Sequence, residues 1–328
     1  MKRFWLLFWL LSLLASAQES SFKFSKSEYS ALLSKARRGH LDSQLKLGLA
    51  YQYGNGVGVD LQTAEYWLKT AGGFGNPQAA TQLGLLYLQP GWRESHAEQA
   101  IQWFLRAAAG NYPSAEINLA LMYLRGWGTP PNEEEALRWL RKAAQHGSQR
   151  AKTYLGIVLV KSDEKSQQAE GFTLIQESAK NKDPEALNAL GYCYELGLGT
   201  SIEMAEALRW YKRGADAGNA DAMHNLASLY VTGDGVAKDP KQVFQWSMRA
   251  CDAGDTRSCG SVASAYALGQ GAEKNPGLAY RYALIARLDD RFLDFVKPGL
   301  SEETMKKAAA EAERWQSDHL FRLSALPQ

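Results

Sequence analysis

Three cysteines in 328 residues are too few for a disulfide-dense scaffold. The 37 basic and 35 acidic residues nearly cancel, so the chain lacks the positive field that nucleic-acid binding requires. Past residue 14 no run is apolar enough to span a bilayer. Five histidines (His40, His96, His146, His224 and His319) are scattered without metal-ligand spacing. No G-x-S-x-G elbow, H-E-x-x-H pair or phosphate-binding glycine loop occurs. S-x-x-K begins at Ser20, Ser43 and Ser162, but neither S-D-N nor K-T-G accompanies it, as a penicillin-recognising serine enzyme would need. The expectation is a protein with no catalytic, cofactor or metal site.

What is present begins with a leader. Lys2 and Arg3 precede a nearly unbroken apolar stretch over 4–14, and Ala15-Ser16-Ala17 offers small residues at a cleavage site. Residues 1–17 therefore read as a signal peptide cut before Gln18. No cysteine follows the cut to carry a lipid. Losing Lys2 and Arg3 leaves 35 basic residues against 35 acidic ones. The expected location is the periplasm, with the extracellular space as the alternative, and no membrane span after processing.

The rest of the chain repeats itself about every 36 residues. Leu47-Gly48 returns as Leu83-Gly84, Leu119-Ala120, Leu155-Gly156, Leu190-Gly191, Leu226-Ala227 and Val262-Ala263. Tyr51, Tyr87, Tyr123, Tyr194, Tyr230 and Tyr266 follow in register, with Leu159 as the exception. Further on come Trp67, Trp103, Trp139, Ile175, Trp210, Trp246 and Tyr282. Each unit holds two segments with helical apolar spacing; Ala64, Trp67, Leu68 and Ala71 stand at i, i+3, i+4 and i+7. Gly-x-Gly turns join them, as at Gly126-Trp127-Gly128 and Gly197-Leu198-Gly199. The small residue after each leucine predicts close helix approach, and the recurring aromatics predict core.

These residues resemble the Sel1-like repeats, relatives of the tetratricopeptide repeats. The pattern A-x-x-x-L-G-x-x-Y-x-x-G-x-G-V, then D-x-x-x-A-x-x-W-x-x-x-A-A-x-x-G, is clearest at 43–75, 115–147, 186–218 and 222–254. The resemblance implies an all-α fold: a right-handed α/α superhelical solenoid of about seven helical hairpins. It gives a capping helix in 18–39, seven repeats over 40–289 and a C-terminal capping helix and tail in 290–328. The fourth unit departs most, with Leu159 and Ile175 in aromatic places and no Gly-x-Gly.

Cys251 ends one helix and Cys259 begins the next, across a turn at Gly254 that can bring them together. They pair, or they are two separate buried thiols. The likeness to cysteine-rich secreted members of the Sel1 family implies pairing. Cys193 reads as a small buried residue.

The resemblance also places first helices on a concave groove, with the residue before each leucine projecting into it. The groove candidates are Lys46, Gln82, Asn118, Tyr154 and Asn225, with Tyr192 and His224 beside them. Amide side chains there suit an extended peptide backbone, since each both donates and accepts. The implied function is a scaffold for a protein or peptide partner, such as envelope machinery or a sensor. The alternatives are a secreted host-directed effector or a hydrolase acting on cell-wall material or β-lactams.

Overall fold

The computed structural model describes residues 24–89 and 91–319. The signal peptide assigned to 1–17 lies outside them. Among the described residues every regular element is a helix. They group into two compact units, one up to Tyr154 and one from Leu155, the division falling within α8 (Gln149–Leu159).

The first unit contains α1 (Lys26–Arg37), α2 (Leu41–Tyr53), α3 (Leu61–Gly73), α4 (Pro77–Tyr87), α5 (Arg93–Ala108), α6 (Pro113–Arg125) and α7 (Glu133–Gln145). Each packs on the next, so α2–α3, α4–α5 and α6–α7 are three stacked hairpins. Ser25 and Glu28 close a capping box at the start of α1. The apolar side of α1, with Tyr29, Leu32, Leu33 and Ala36, lies on Leu47 and Trp67 of the first hairpin.

The second unit continues with α9 (Lys165–Lys180), α10 (Pro184–Leu196), α11 (Met204–Asp216), α12 (Ala220–Thr232), α13 (Pro240–Asp252), α14 (Thr256–Leu268) and α15 (Pro276–Ala286). A short α16 (Asp290–Val296) follows, then α17 (Glu302–Asp318). α17 packs on α15, much as α14 packs on α13. Its Ala312 and Trp315 enter the core formed by Val262, Tyr282 and Ile285.

Why the leucine-glycine pair recurs is visible where each hairpin closes. A Cβ on Gly48 would lie 2.6 Å from Leu68 Cγ, and one on Gly84 would lie 2.5 Å from Phe104 Cε1. Gly191 bears on Tyr211 and Gly156 on Ile175 in the same way. Where the small residue is alanine, two of the three residues in the facing register, Ser247 and Ala283, are small and buried; the third is Leu140. Interiors packed to crystal density force such matching.

This contact corrects the register of the fourth unit. Ile175 is fully buried against Gly156, the role of Leu68, Phe104 and Tyr211 elsewhere. It does not take the tryptophan place, which falls to half-buried Leu174 because the connection there is one residue shorter.

The tryptophans are core on one side only. Trp67 and Trp246 are buried, while Trp103, Trp139 and Trp210 are half-buried. A cation three residues on lies over several rings: Arg106 over Trp103, Lys142 over Trp139, Arg213 over Trp210 and Arg249 over Trp246. Three of these cations also reach the last carbonyls of the preceding second helix: Arg106 to Gly73, Lys142 to Ala108 (3.4 Å) and Arg249 to Ala215 (3.5 Å). Each thereby sets positive charge against the negative helix end.

The repeated tyrosine marks where the connecting loop is pinned. In five hairpins the N–H of the residue preceding the second helix donates to its carbonyl: Asp60 to Tyr51, Asn132 to Tyr123, Glu203 to Tyr194, Asp239 to Tyr230 and Asn275 to Tyr266. Asp60, Asn132, Asp239 and Asn275 then cap those helices through their side chains. The second glycine of each loop is needed twice over. Gly128 has φ +67°, and a Cβ there would strike the backbone of Ala97 and Glu98 in the preceding hairpin.

Candidate interaction surface

Several pairs of consecutive first helices meet through polar side chains. In the first unit Asn76 Nδ2 donates to Asp42 Oδ1 across α4 and α2 (3.3 Å). In the second unit Asn225 Nδ2 donates to Asn188 Oδ1 across α12 and α10 (3.0 Å). Between α12 and α14, His224 Nδ1 lies 2.9 Å from Ser258 Oγ, and Arg257 pairs with Asp221. This face is lined by hydrogen-bonding groups.

The seven groove candidates occupy graded depths. Lys46 is exposed; Gln82, Tyr192, His224 and Asn225 are half-buried; Asn118 and Tyr154 are buried, at 8% and 1% exposure. The Tyr154 hydroxyl accepts from Arg150 Nε at 3.2 Å. Tyr154 therefore has almost no surface to offer a ligand. Asn225 is tied to Asn188, which is fully buried. Asn188 stands two residues before Leu190, where the first units carry Leu45, Thr81 and Ile117. The same register also holds Thr81, Thr153 and His224, so residue type alone gave no signal for it.

The richest polar cluster surrounds Asp255, the N-cap of α14. Its Oδ2 accepts from the Ser258 amide (3.1 Å) and the Ser258 hydroxyl (2.6 Å), and its Oδ1 from Arg257 Nε (2.8 Å). His224 Nδ1 is 3.2 Å from Oδ2. Burial works to raise Asp255, but the bonds from His224 and Ser258 and the charge of Arg257 outweigh it and hold the carboxyl well below the usual range. Asp221 is displaced the other way: burial raises it against the pull of Arg257.

Cys251 and Cys259 are joined, Cα to Cα 4.8 Å, and close the loop that carries Asp255, Arg257 and Ser258. Cys193 is free and buried, its thiol pushed up to about 12 by burial.

A second buried carboxylate escaped sequence reading. Glu116 on α6 is fully buried between Lys142 Nζ (3.3 Å) and His146 Nδ1 (2.9 Å) of α7. It locks one hairpin internally. Among the described residues no group of three His, Cys, Asp or Glu side chains could hold a metal ion. No described helix is long and apolar enough to cross a membrane.

The repeat length, the glycine contacts and the pinned loops meet in one family. Sel1 repeat matches cover 41–72, 77–112, 113–148, 184–219, 220–255 and 258–287. The chain belongs to the Sel1 repeat family. The span from 149 to 183 is unmatched, yet its Gly156–Ile175 contact is that of the other hairpins. No curated protein matches the chain in sequence. A Sel1 repeat protein from Oxalobacter formigenes is similar in fold, at 23% identity and TM-score 0.59, covering 95% of this chain and 86% of that one. A protective antigen of uropathogenic Escherichia coli aligns at 20% identity and TM-score 0.49, covering 92% and 74%.

Proposed function

We propose that this Sel1 repeat protein is an exported, non-enzymatic adaptor of the bacterial envelope that holds a protein or peptide along its first-helix face. The observation that carries the reading is the polar lining of that face, in which side chains of successive first helices bond to one another and leave donors and acceptors at graded depth. Sel1 repeats are commonly protein-interaction modules, and the membership supports the same reading. Export rests on the leader over 1–17 and agrees with the Cys251–Cys259 bond, since disulfides persist in oxidising compartments.

Crosslinking in whole cells, followed by recovery of the chain from the periplasmic fraction, tests the proposal. One discrete protein should co-purify, and N-terminal sequencing of the exported chain should begin at Gln18. A product that retains Met1, or a chain crosslinked to nothing, overturns it.

A further inference from the structure

The Asp255 cluster ends in an unused atom. Ser258 Oγ gives its hydrogen to Asp255 Oδ2 at 2.6 Å, so the oxygens facing His224 Nδ1, at 2.9 and 3.2 Å, can only accept. Nδ1 must therefore carry a proton. In the neutral imidazole this leaves Nε2 bare, a hydrogen-bond acceptor whose tautomer is fixed from behind. No hydrogen bond reaches Nε2 among the described residues, and it is not sealed from solvent. The ring sits on α12, a first helix, with its side chain 23% exposed.

The charge behind the ring is net negative. Asp221 and Asp255, two carboxylates, stand against the single guanidinium of Arg257. The disulfide closes the loop that supplies Asp255 and Ser258. On the neutral ring, a bare acceptor before net negative charge suits a cationic donor and repels a carboxylate.

We propose that His224 Nε2 is the docking point for a lysine or arginine side chain of the partner protein. This rests on the adaptor reading and adds where the partner touches and with which chemistry.

The test uses the full exported, oxidised chain labelled with 15N-histidine. His224 should read as the Nδ1–H tautomer. Titration with the blocked tripeptide acetyl-Gly-Lys-Gly-amide should move its Nε2 signal saturably, with a midpoint on the order of millimolar, a range that one weak contact can reach. The glutamate counterpart should bind about tenfold less tightly, equivalent to ~1.4 kcal/mol. His224→Gln, which can keep an acceptor at the Nε2 position, should retain most of the response. His224→Leu should bind the lysine tripeptide at least about tenfold less tightly. An Nε2–H tautomer, an equal response to both tripeptides, or undiminished binding by His224→Leu overturns the inference. If His224→Leu does not melt cooperatively, the wild-type tautomer and the two titrations decide. A chain that crosslinks to a protein while His224 ignores lysine sinks this inference alone. A chain that responds to lysine but crosslinks to nothing sinks the adaptor reading.

Discussion

Gly191 lies flat against the ring of Tyr211: a Cβ on the glycine would fall 2.5 Å from Tyr211 Cδ1. Tyr211 is fully buried, and its hydroxyl donates to Glu195 Oε2 at 2.6 Å. The glycine is thus the space in which the largest fully buried side chain of that hairpin sits.

Gly191→Ala gains roughly 1 kcal/mol of helix propensity but overpacks a tight core, which costs about 1–3 kcal/mol. The overpacking should win, lowering the urea midpoint. Tyr211→Leu placed in the same chain should recover part of that loss, because alanine and leucine already share this register at Ala120 and Leu140. Strict additivity of the two changes in a double-mutant cycle would refute the matched-volume account.

Positive φ and close approach separate at two other glycines. Gly218 has φ +88° with open space where a Cβ would go, whereas Gly271 has φ +79° and lies against the Pro240 backbone. Gly218→Ala should cost about 1–2 kcal/mol, the left-handed backbone penalty alone. Gly271→Ala should cost at least ~1 kcal/mol more, since backbone must move as well. Equal losses of unfolding free energy in denaturant would show that the contact is unimportant.

Removing the disulfide with Cys251→Ala and Cys259→Ala should cost about 2–3 kcal/mol, the loop-entropy value for a ring of this size. Non-reduced peptide mapping should show the two cysteines linked. Cys193 should resist a thiol reagent until the chain unfolds, as its burial and raised thiol require. Alkylation of all three cysteines on denaturation without reductant would contradict the bond.

Asn225→Ala should not be silent. It strips the partner from Asn188 Oδ1 in a fully buried side chain, at a cost of about 1–3 kcal/mol. Lys46→Ala, at an exposed place in the same register, should stay within about 0.5 kcal/mol. Thermal midpoints of the two variants distinguish a structural from a surface amide; parity between them would assign Asn225 wholly to the surface.

Alkaline pH should unfold the chain late. Tyr192 is pushed up to about 12 by burial, and Tyr51 to about 12, first by its hydrogen bond with Tyr29. A phenol raised in the folded state contributes stability that is complete below its unfolded value of about 10 and is lost as pH rises through the folded value. Stability should therefore decline between pH 10 and 12, with phenolate absorbance lagging until the helices melt. Free titration of both tyrosines near 10, with helicity intact, would show that they are not held this way.

The sequence by itself determined the hairpins. Its period, its Gly-x-Gly turns and its leucine-small pairs are local or strictly repeated signals, and helix periodicity with left-handed caps is enough to read them. It also put Cys251 and Cys259 on either side of one turn. Tertiary structure alone decided how far each groove candidate is buried, because exposure depends on the neighbouring hairpin and not on the residue. Tyr154 and Asn118 share the register of Lys46, yet only Lys46 is exposed. It also placed Ile175 opposite Gly156, since a loop shorter by one residue moves the register without changing the pattern. The His224–Ser258–Asp255 cluster was equally out of reach, for its members come together only when two first helices stack. Periodicity specifies which residues face a neighbour, and the neighbour then specifies what each of them can do.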